Sequence, residues 1–250
     1  MDDFETGTHD IDGVPVWFRT RAGSGSSAPK LVFLHGGVSD GRVFDPILAR
    51  LDPSFAVWTY DRRGHGRTPD TDEPLGFASM VSEAATLVDD RIGGPVHVVG
   101  HSDGANTALL LAIARPDLVA SVSAFSGNLD PSGYQPGSVT AEELDEAIGD
   151  DWAAIAPQDR SYFPVIAAKT VELWSTEPRM TAEDVARITA PVLVAAGEDD
   201  VVRPEHTRAI HEAIQGSRLV IVPGTGHMLV EDQAATCATL IEETVVRARA

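Results

Sequence analysis

Short apolar runs rich in β-branched residues recur along the chain, with stretches of helical period between them. Residues 14–19, 30–35, 55–60, 96–100, 121–126, 191–197 and 218–222 read as strands. Several are apolar on consecutive positions, as in Val96-His97-Val98-Val99-Gly100, which suits strands covered on both faces. Phe77, Met80, Val81, Ala84, Leu87, Val88 and Ile92 recur at three- and four-residue steps and mark one face of a helix, which Gly93-Gly94-Pro95 ends. Residues 104–115 are rich in alanine and leucine and stop at Pro116, and 204–215 and 230–249 carry two further helical patterns. The polar, glycine-containing run 21–29 reads as a hairpin loop between the first two strands. Its Gly23-Ser24-Gly25 has no third glycine at the right offset and no helix after it, so it is not a phosphate-cradling loop. The alternation predicts an α/β fold: a mostly parallel central sheet flanked by helices, opened by a hairpin.

Residues 130–188 break the rhythm. They contain no convincing strand, only helix-like segments at 140–148, 151–156 and 161–174, together with Tyr134, Trp152, Tyr162, Phe163 and Trp174. The expected organisation is a core domain formed by residues 1–129 and 189–250 with a short helical lid inserted at 130–188. Trp152, Tyr162, Phe163 and Trp174 are its expected substrate-facing residues, the alternative being that they pack the lid onto the body.

Composition narrows the function classes. The 250 residues carry 19 Lys and Arg against 38 Asp and Glu, a formal net charge of −19. Such a chain repels phosphate backbones and anionic membrane surfaces, so nucleic-acid and membrane partners are not expected. No apolar run reaches the length of a membrane-spanning helix. The acidic start Met1-Asp2-Asp3-Phe4-Glu5 lacks the apolar segment of a signal peptide. The one cysteine, Cys237, lies in a helical pattern and reads as a small buried hydrophobe. These features lead to the expectation of a cytoplasmic protein.

Gly100-His101-Ser102-Asp103-Gly104 fits Gly-x-Ser-x-Gly, between a predicted strand and a predicted helix. A serine on a tight strand-to-helix turn is lifted above the strand ends and sits at a helix N-terminus, where free N–H groups favour developing negative charge. Its hydroxyl needs a base. Among eight histidines, His227 stands out in the glycine-rich loop 223–228 directly after the last predicted strand. His9 is near the N-terminus, His97 lies inside a strand, and His206 and His211 fall on a surface helix. His97 and His101 do not share a helix face, so no metal pair is expected there. The base needs a carboxylate, for which Asp200 in Gly197-Glu198-Asp199-Asp200 is the choice, with Asp199 and then Asp130 behind it. The Asp103 N–H and a second N–H from His35-Gly36-Gly37 offer the donors a tetrahedral intermediate requires.

These motifs together resemble the α/β-hydrolase superfamily. The order Ser102, Asp200, His227 is that family's order, and residues 61–68 (Asp-Arg-Arg-Gly-His-Gly-Arg-Thr) and Gly197-x-x-Asp200-x-x-x-Pro204 are similar to its motifs. The resemblance prefers Asp200 to Asp199, assigns the second oxyanion donor to Gly37, and makes Asp61, Arg62 and His65 loop-fixing residues. Asp103 is a departure, because relatives often carry an apolar residue or Gln after the nucleophile, and a carboxylate pointing inward would oppose an oxyanion. The short lid resembles that of enol-lactone hydrolases, small-ester hydrolases and cofactor-free perhydrolases or haloperoxidases. The implied function is hydrolysis of a small carboxylic ester or lactone with water through an acyl-enzyme, with no metal or organic cofactor. The alternatives are C–C bond hydrolysis or perhydrolysis on the same triad, and a slow-turnover ligand-binding sensor.

Overall fold

The computed structural model describes residues 4–25, 27–134 and 139–249. Its strands are β1 (Glu5–Ile11), β2 (Val14–Arg21), β3 (Lys30–Leu34), β4 (Ala56–Asp61), β5 (Val96–His101), β6 (Val119–Phe125), β7 (Val192–Gly197) and β8 (Arg218–Val222). Its α-helices are α1 (Asp45–Leu48), α2 (Phe77–Leu87), α3 (Asp103–Ala114), α4 (Ala141–Ala153), α5 (Phe163–Thr176), α6 (Ala182–Val185), α7 (Pro204–Ala213), α8 (Leu229–Asp232) and α9 (Ala234–Ala248). The eight strands form one sheet in the order β1-β2-β4-β3-β5-β6-β7-β8. β1, β2 and β4 pair antiparallel, and every pairing from β4 onward is parallel.

Period-two alternation sorts the strand residues between two cores. Val32 and Leu34 face one core, which is completed by α2, α3, α6 and α7. Leu31 and Phe33 face the other, completed by α1, α8 and α9. All six residues of β5 and all six of β7 are buried, which explains their continuous apolar runs. Cys237 is fully buried in the second core, and burial pushes its thiol up to about 12.

The start of the sheet differs from the reading of the sequence. The hairpin joins β1 to β2 through Asp12 and Gly13, both with positive φ (54° and 81°), and pairs Ile11 with Val14. The run 21–29 is not a hairpin loop. β2 pairs with β4, Trp17 opposite Asp61, and the run carries the chain across β4 to β3, with the Ser24 N–H bonded to the Ser54 carbonyl at 3.0 Å.

Between β6 and β7 the described regular elements are helices joined by loops, with one isolated bridge between Tyr134 and Val202. The sequence segments 140–148 and 151–156 form the single helix α4, opened by a Thr140/Glu143 capping box. Gly149 does not break it. A Cβ there would lie 2.3 Å from the Arg160 guanidinium, which crosses the helix at that point. Leu144, Trp152, Phe163, Ile166 and Ala167 make a small core of their own. Met180, Val185 and Ile188, by contrast, pack in the main core, so the end of the 130–188 segment belongs structurally to the body. The insertion is tied to the loop after β4 by Trp152 Nε1 on the Gly64 carbonyl (3.2 Å) and by Lys169 on Asp70 (2.6 Å).

Candidate active site

The C-terminal ends of the parallel strands converge on Ser102. It follows β5 directly and precedes α3, in a strained backbone conformation (φ 56°, ψ −120°). The flanking glycines have no alternative. A Cβ on Gly100 would lie 2.1 Å from the Gly104 carbonyl oxygen, and one on Gly104 would lie 1.9 Å from the Leu34 carbonyl oxygen. That close approach locks β5, α3 and the end of β3 together and aims the Ser102 hydroxyl out of the sheet.

His227 lies in the loop between β8 and α8, and its Nε2 is 3.0 Å from Ser102 Oγ. Its Nδ1 is 2.8 Å from Asp200 Oδ1, three residues beyond the end of β7. Asp200 Oδ1 also accepts the Val202 N–H (2.9 Å), and Oδ2 accepts the Ser126 hydroxyl (2.5 Å). Burial alone would raise this carboxyl; the bonds from His227, Ser126 and Val202 outweigh it and hold it below the usual carboxylate range. Asp199 and Glu198 are exposed, and Asp130 is spent on capping the turn at Ser132. Of the acids weighed from sequence, Asp200 is the one brought to His227.

Asp103 opens α3, so its N–H is one of the four at that end without an intrahelical partner. The His35–Gly37 turn after β3 runs against Ser102: a Cβ on Gly36 would lie 3.1 Å from Ser102 Cβ. Gly37 is equally constrained, since its Cβ would meet Trp174 Cζ2 at 2.5 Å and Asp103 Oδ2 at 2.7 Å. The Asp103 carboxylate, buried and 3.0 Å from Arg62 Nη2, has its charge matched. It also accepts Trp174 Nε1–H at 3.0 and 3.2 Å. Arg62 donates in addition to the His35 carbonyl (2.8 Å) and the Gly36 carbonyl (3.0 Å), so one guanidinium braces the turn, the residue after the serine and, through Asp103, the helical insertion. Asp61 holds the loop around it by accepting Gly41 N–H (2.9 Å), Arg67 N–H (2.9 Å) and the Arg67 guanidinium (3.0 Å). His65 is fully buried beside Arg62 and kept neutral, chiefly by burial. All three residues fix the loop, as their motif suggested.

Two neighbours of the triad were not read from sequence. Ser126 is one; its only signal was its place at the end of a predicted strand. His101 is the other. Its Nε2 donates to the His227 carbonyl at 2.7 Å and its ring packs 5.0 Å from the His227 ring. Burial, then the neighbouring His227, pushes His101 down to about 3, so it stays neutral while a charge forms on His227.

Beside Ser102 lies a cavity of about 580 Å³, bounded by Gly36, Gly37, His227 and the insertion. Leu144, Ile148, Trp152 and Trp174 line its apolar side. Tyr162 and Phe163 do not line it. Phe163 has no exposed surface and stacks on Trp152 at 5.3 Å inside the insertion's core, while the Tyr162 hydroxyl bonds Asp70 at 3.0 Å. Of the four aromatics expected at the substrate, two reach the cavity and two build the insertion. Among the described residues no group of three or more His, Cys, Asp or Glu is placed to hold a metal, and no helix is long and apolar enough to cross a membrane. A serine, an imidazole and a carboxylate in series, with backbone N–H groups nearby, can deliver a nucleophilic oxygen to an acyl carbon and neutralise the charge that results.

Residues 31–240 match the Alpha/beta hydrolase family. The chain is 38% identical to the lipase LipV of Mycobacterium tuberculosis over 125 residues, which covers 50% of this chain; the match spans 46% of LipV, less than half its length. It is 24% identical to a pimeloyl-acyl-carrier-protein methyl ester esterase of Neisseria meningitidis, over 91% of this chain and 97% of that protein. The crystal structure of the enol-lactonase from Burkholderia xenovorans superposes with a TM-score of 0.79 at 20% identity, covering 96% of this chain and 99% of that one. With a match spanning most of its length, the chain belongs to the Alpha/beta hydrolase family.

Proposed function

We propose that the protein is a serine hydrolase that cleaves a small carboxylic ester or lactone through an acyl-enzyme. The observation that carries the reading is the continuous series Asp200 Oδ1–His227 Nδ1 (2.8 Å) and His227 Nε2–Ser102 Oγ (3.0 Å), open on one side to the cavity. His227 takes the Ser102 proton as Oγ attacks the acyl carbon. Asp200 keeps the proton on Nδ1, so that Nε2 is the acceptor, and stabilises the imidazolium. The tetrahedral oxyanion is received by the N–H groups of Gly37 and Asp103. His227 returns its proton to the leaving alkoxide, then draws one from water, which attacks the acyl-enzyme and releases the acid. The helical insertion acts as a lid, with Trp152 and Trp174 as its cavity wall.

The Asp103 carboxylate does not oppose the oxyanion, because Arg62 and Trp174 bind it. Its N–H serves the reaction while its side chain serves the lid. The esterase and lactonase names of the relatives support the ester and lactone reading over C–C cleavage, although both reactions use the same three residues. Burst and steady-state hydrolysis of p-nitrophenyl acetate and butyrate tests the reading. Ser102→Ala is expected to lower kcat by a factor on the order of 10⁶. A variant that turns over like the wild type overturns it, and a burst with no further turnover moves the protein to the sensor reading.

A further inference from the structure

The charged groups around the cavity are arranged with one sign in excess. Four charged side chains line it: Asp40, Arg42, Asp151 and Glu231. The one cation among them is already committed. Arg42 Nε and Nη2 grip the two oxygens of Asp40 at 2.9 Å each, a bidentate fork, and the Asp40 carboxyl is held below its usual range even though burial opposes that. The remaining charges felt by Arg42 are those of Asp61 and Asp151, both acidic. Arg62, the next cation inward, is turned to the His35 and Gly36 carbonyls and to Asp103. Asp151 and Glu231 have no ion-pair partner among the described residues. Asp151 and Glu231 are both exposed, and partial burial first, then the neighbouring Asp232 and Asp40, pushes the Glu231 carboxyl up.

We infer, on the reading of Ser102 as the nucleophile, that this cavity selects its ester by charge: it admits neutral and quaternary-ammonium esters and excludes esters that carry a carboxylate. A carboxylate entering the cavity loses water unfavourably unless it is paired, and among the described lining residues it finds two unpaired carboxylates and no free cation. A trimethylammonium group finds those two carboxylates and the aromatic side chains of Trp152 and Trp174 among the lining residues. Asp151 and Glu231 are the specificity-determining residues, and the chain's net charge of −19 adds the same bias at long range.

The test compares kcat/KM for four esters, in two size-matched pairs, at low ionic strength. These are butyrylcholine, its carbon isostere with a tert-butyl group in place of trimethylammonium, and the p-nitrophenyl hemiester of succinic acid set against p-nitrophenyl butyrate. The cationic ester is expected to exceed its isostere by about tenfold, and the hemiester to fall at least about tenfold below the butyrate. Asp151→Asn with Glu231→Gln brings both ratios toward one, as does added salt. Hemiester hydrolysis as fast as that of the neutral ester overturns the inference; unchanged ratios in the double variant overturn its assignment to these two residues. A second measurement separates this from the catalytic reading. In Ser102→Ala protein, calorimetric titration should show hexyltrimethylammonium binding more tightly than hexanoate. Equal or reversed affinities refute the charge selection whether or not the wild type hydrolyses any ester. Absence of both burst and turnover with the predicted order of affinities would sink the ester-hydrolase reading and leave the charge selection standing.

Discussion

Asp200 shows how much a single residue depends on its surroundings. Three donors converge on its carboxylate, from His227, Ser126 and Val202, so it is held ionised and in one orientation. Asp200→Asn keeps the shape but places an amide where the imidazole N–H must be accepted, which favours the wrong tautomer of His227. The expected result is a fall in kcat of about 10⁴-fold with KM little changed, measured by steady-state ester hydrolysis. A kcat within tenfold of wild type would show that another group orients the base. Ser102, His227 and Asp200 were legible in the sequence because Ser102 and Asp200 follow glycines at the ends of β5 and β7, and His227 follows Gly226 in the loop after β8. Ser126 and His101 were not legible, since a hydrogen bond to a carboxylate on another strand or to a loop carbonyl leaves no local pattern. Phe163 and Tyr162 were misplaced for a related reason: an aromatic residue in a helical segment has the same sequence appearance whether it faces a substrate or a neighbouring helix.

Among elements, the contact between α5 and the start of α3 ties the helical insertion to the residue after Ser102. Trp174 Nε1 donates to the Asp103 carboxylate, and the Trp174 ring leaves room only for glycine at position 37. Trp174→Phe keeps a six-membered aromatic ring but removes the pyrrole half of the indole together with its donor. Losing a hydrogen bond to a buried charged group is expected to cost about 1.5–3 kcal/mol, read by urea denaturation, with Arg62 still pairing the carboxylate. An unchanged denaturation midpoint would mean that the lid is held by packing alone. β5 and β7 were readable because they are buried on both faces and therefore continuously apolar, and β8, a half-exposed edge strand, was readable from its β-branched run. β1 was not, because Glu-Thr-Gly-Thr-His-Asp-Ile is an edge strand with mostly exposed, polar positions. Its Asp12-Gly13 turn was the available signal. The pairing of β2 with β4 lay beyond local pattern, since partner choice depends on crossovers that the order of strands does not state.

For the molecule as a whole, buried titratable groups set the response to acid. His35, His65, His97 and His101 are all buried with lowered pKa values, His97 at about 4 and His101 at about 3, with desolvation the leading cause in each. The unfolded chain binds protons on these histidines near pH 6.5, where the folded chain does not, so stability is lost as pH falls below about 6.5. Glu83 acts in the opposite sense. Burial raises its carboxyl to about 7, so the folded state holds a proton there that the unfolded chain has released, and its contribution to stability fades as pH rises through 7. Asp61 and Glu231 are raised in the same sense as Glu83, and the four buried histidines against these acids predict a lower unfolding temperature at pH 5 than at pH 7, and a smaller difference in His97→Gln. Calorimetry at the two pH values checks this; an unchanged or higher unfolding temperature at pH 5 would contradict the burial of neutral imidazoles.

The central claim is that Ser102 Oγ carries the acyl group between two half-reactions. Acid-quenched turnover of p-nitrophenyl butyrate followed by peptide mass spectrometry measures it directly. One butyryl group is expected on the peptide containing Ser102, absent from Ser102→Ala. Ester consumption with no acylated peptide, or with the acyl group on another residue, would contradict it.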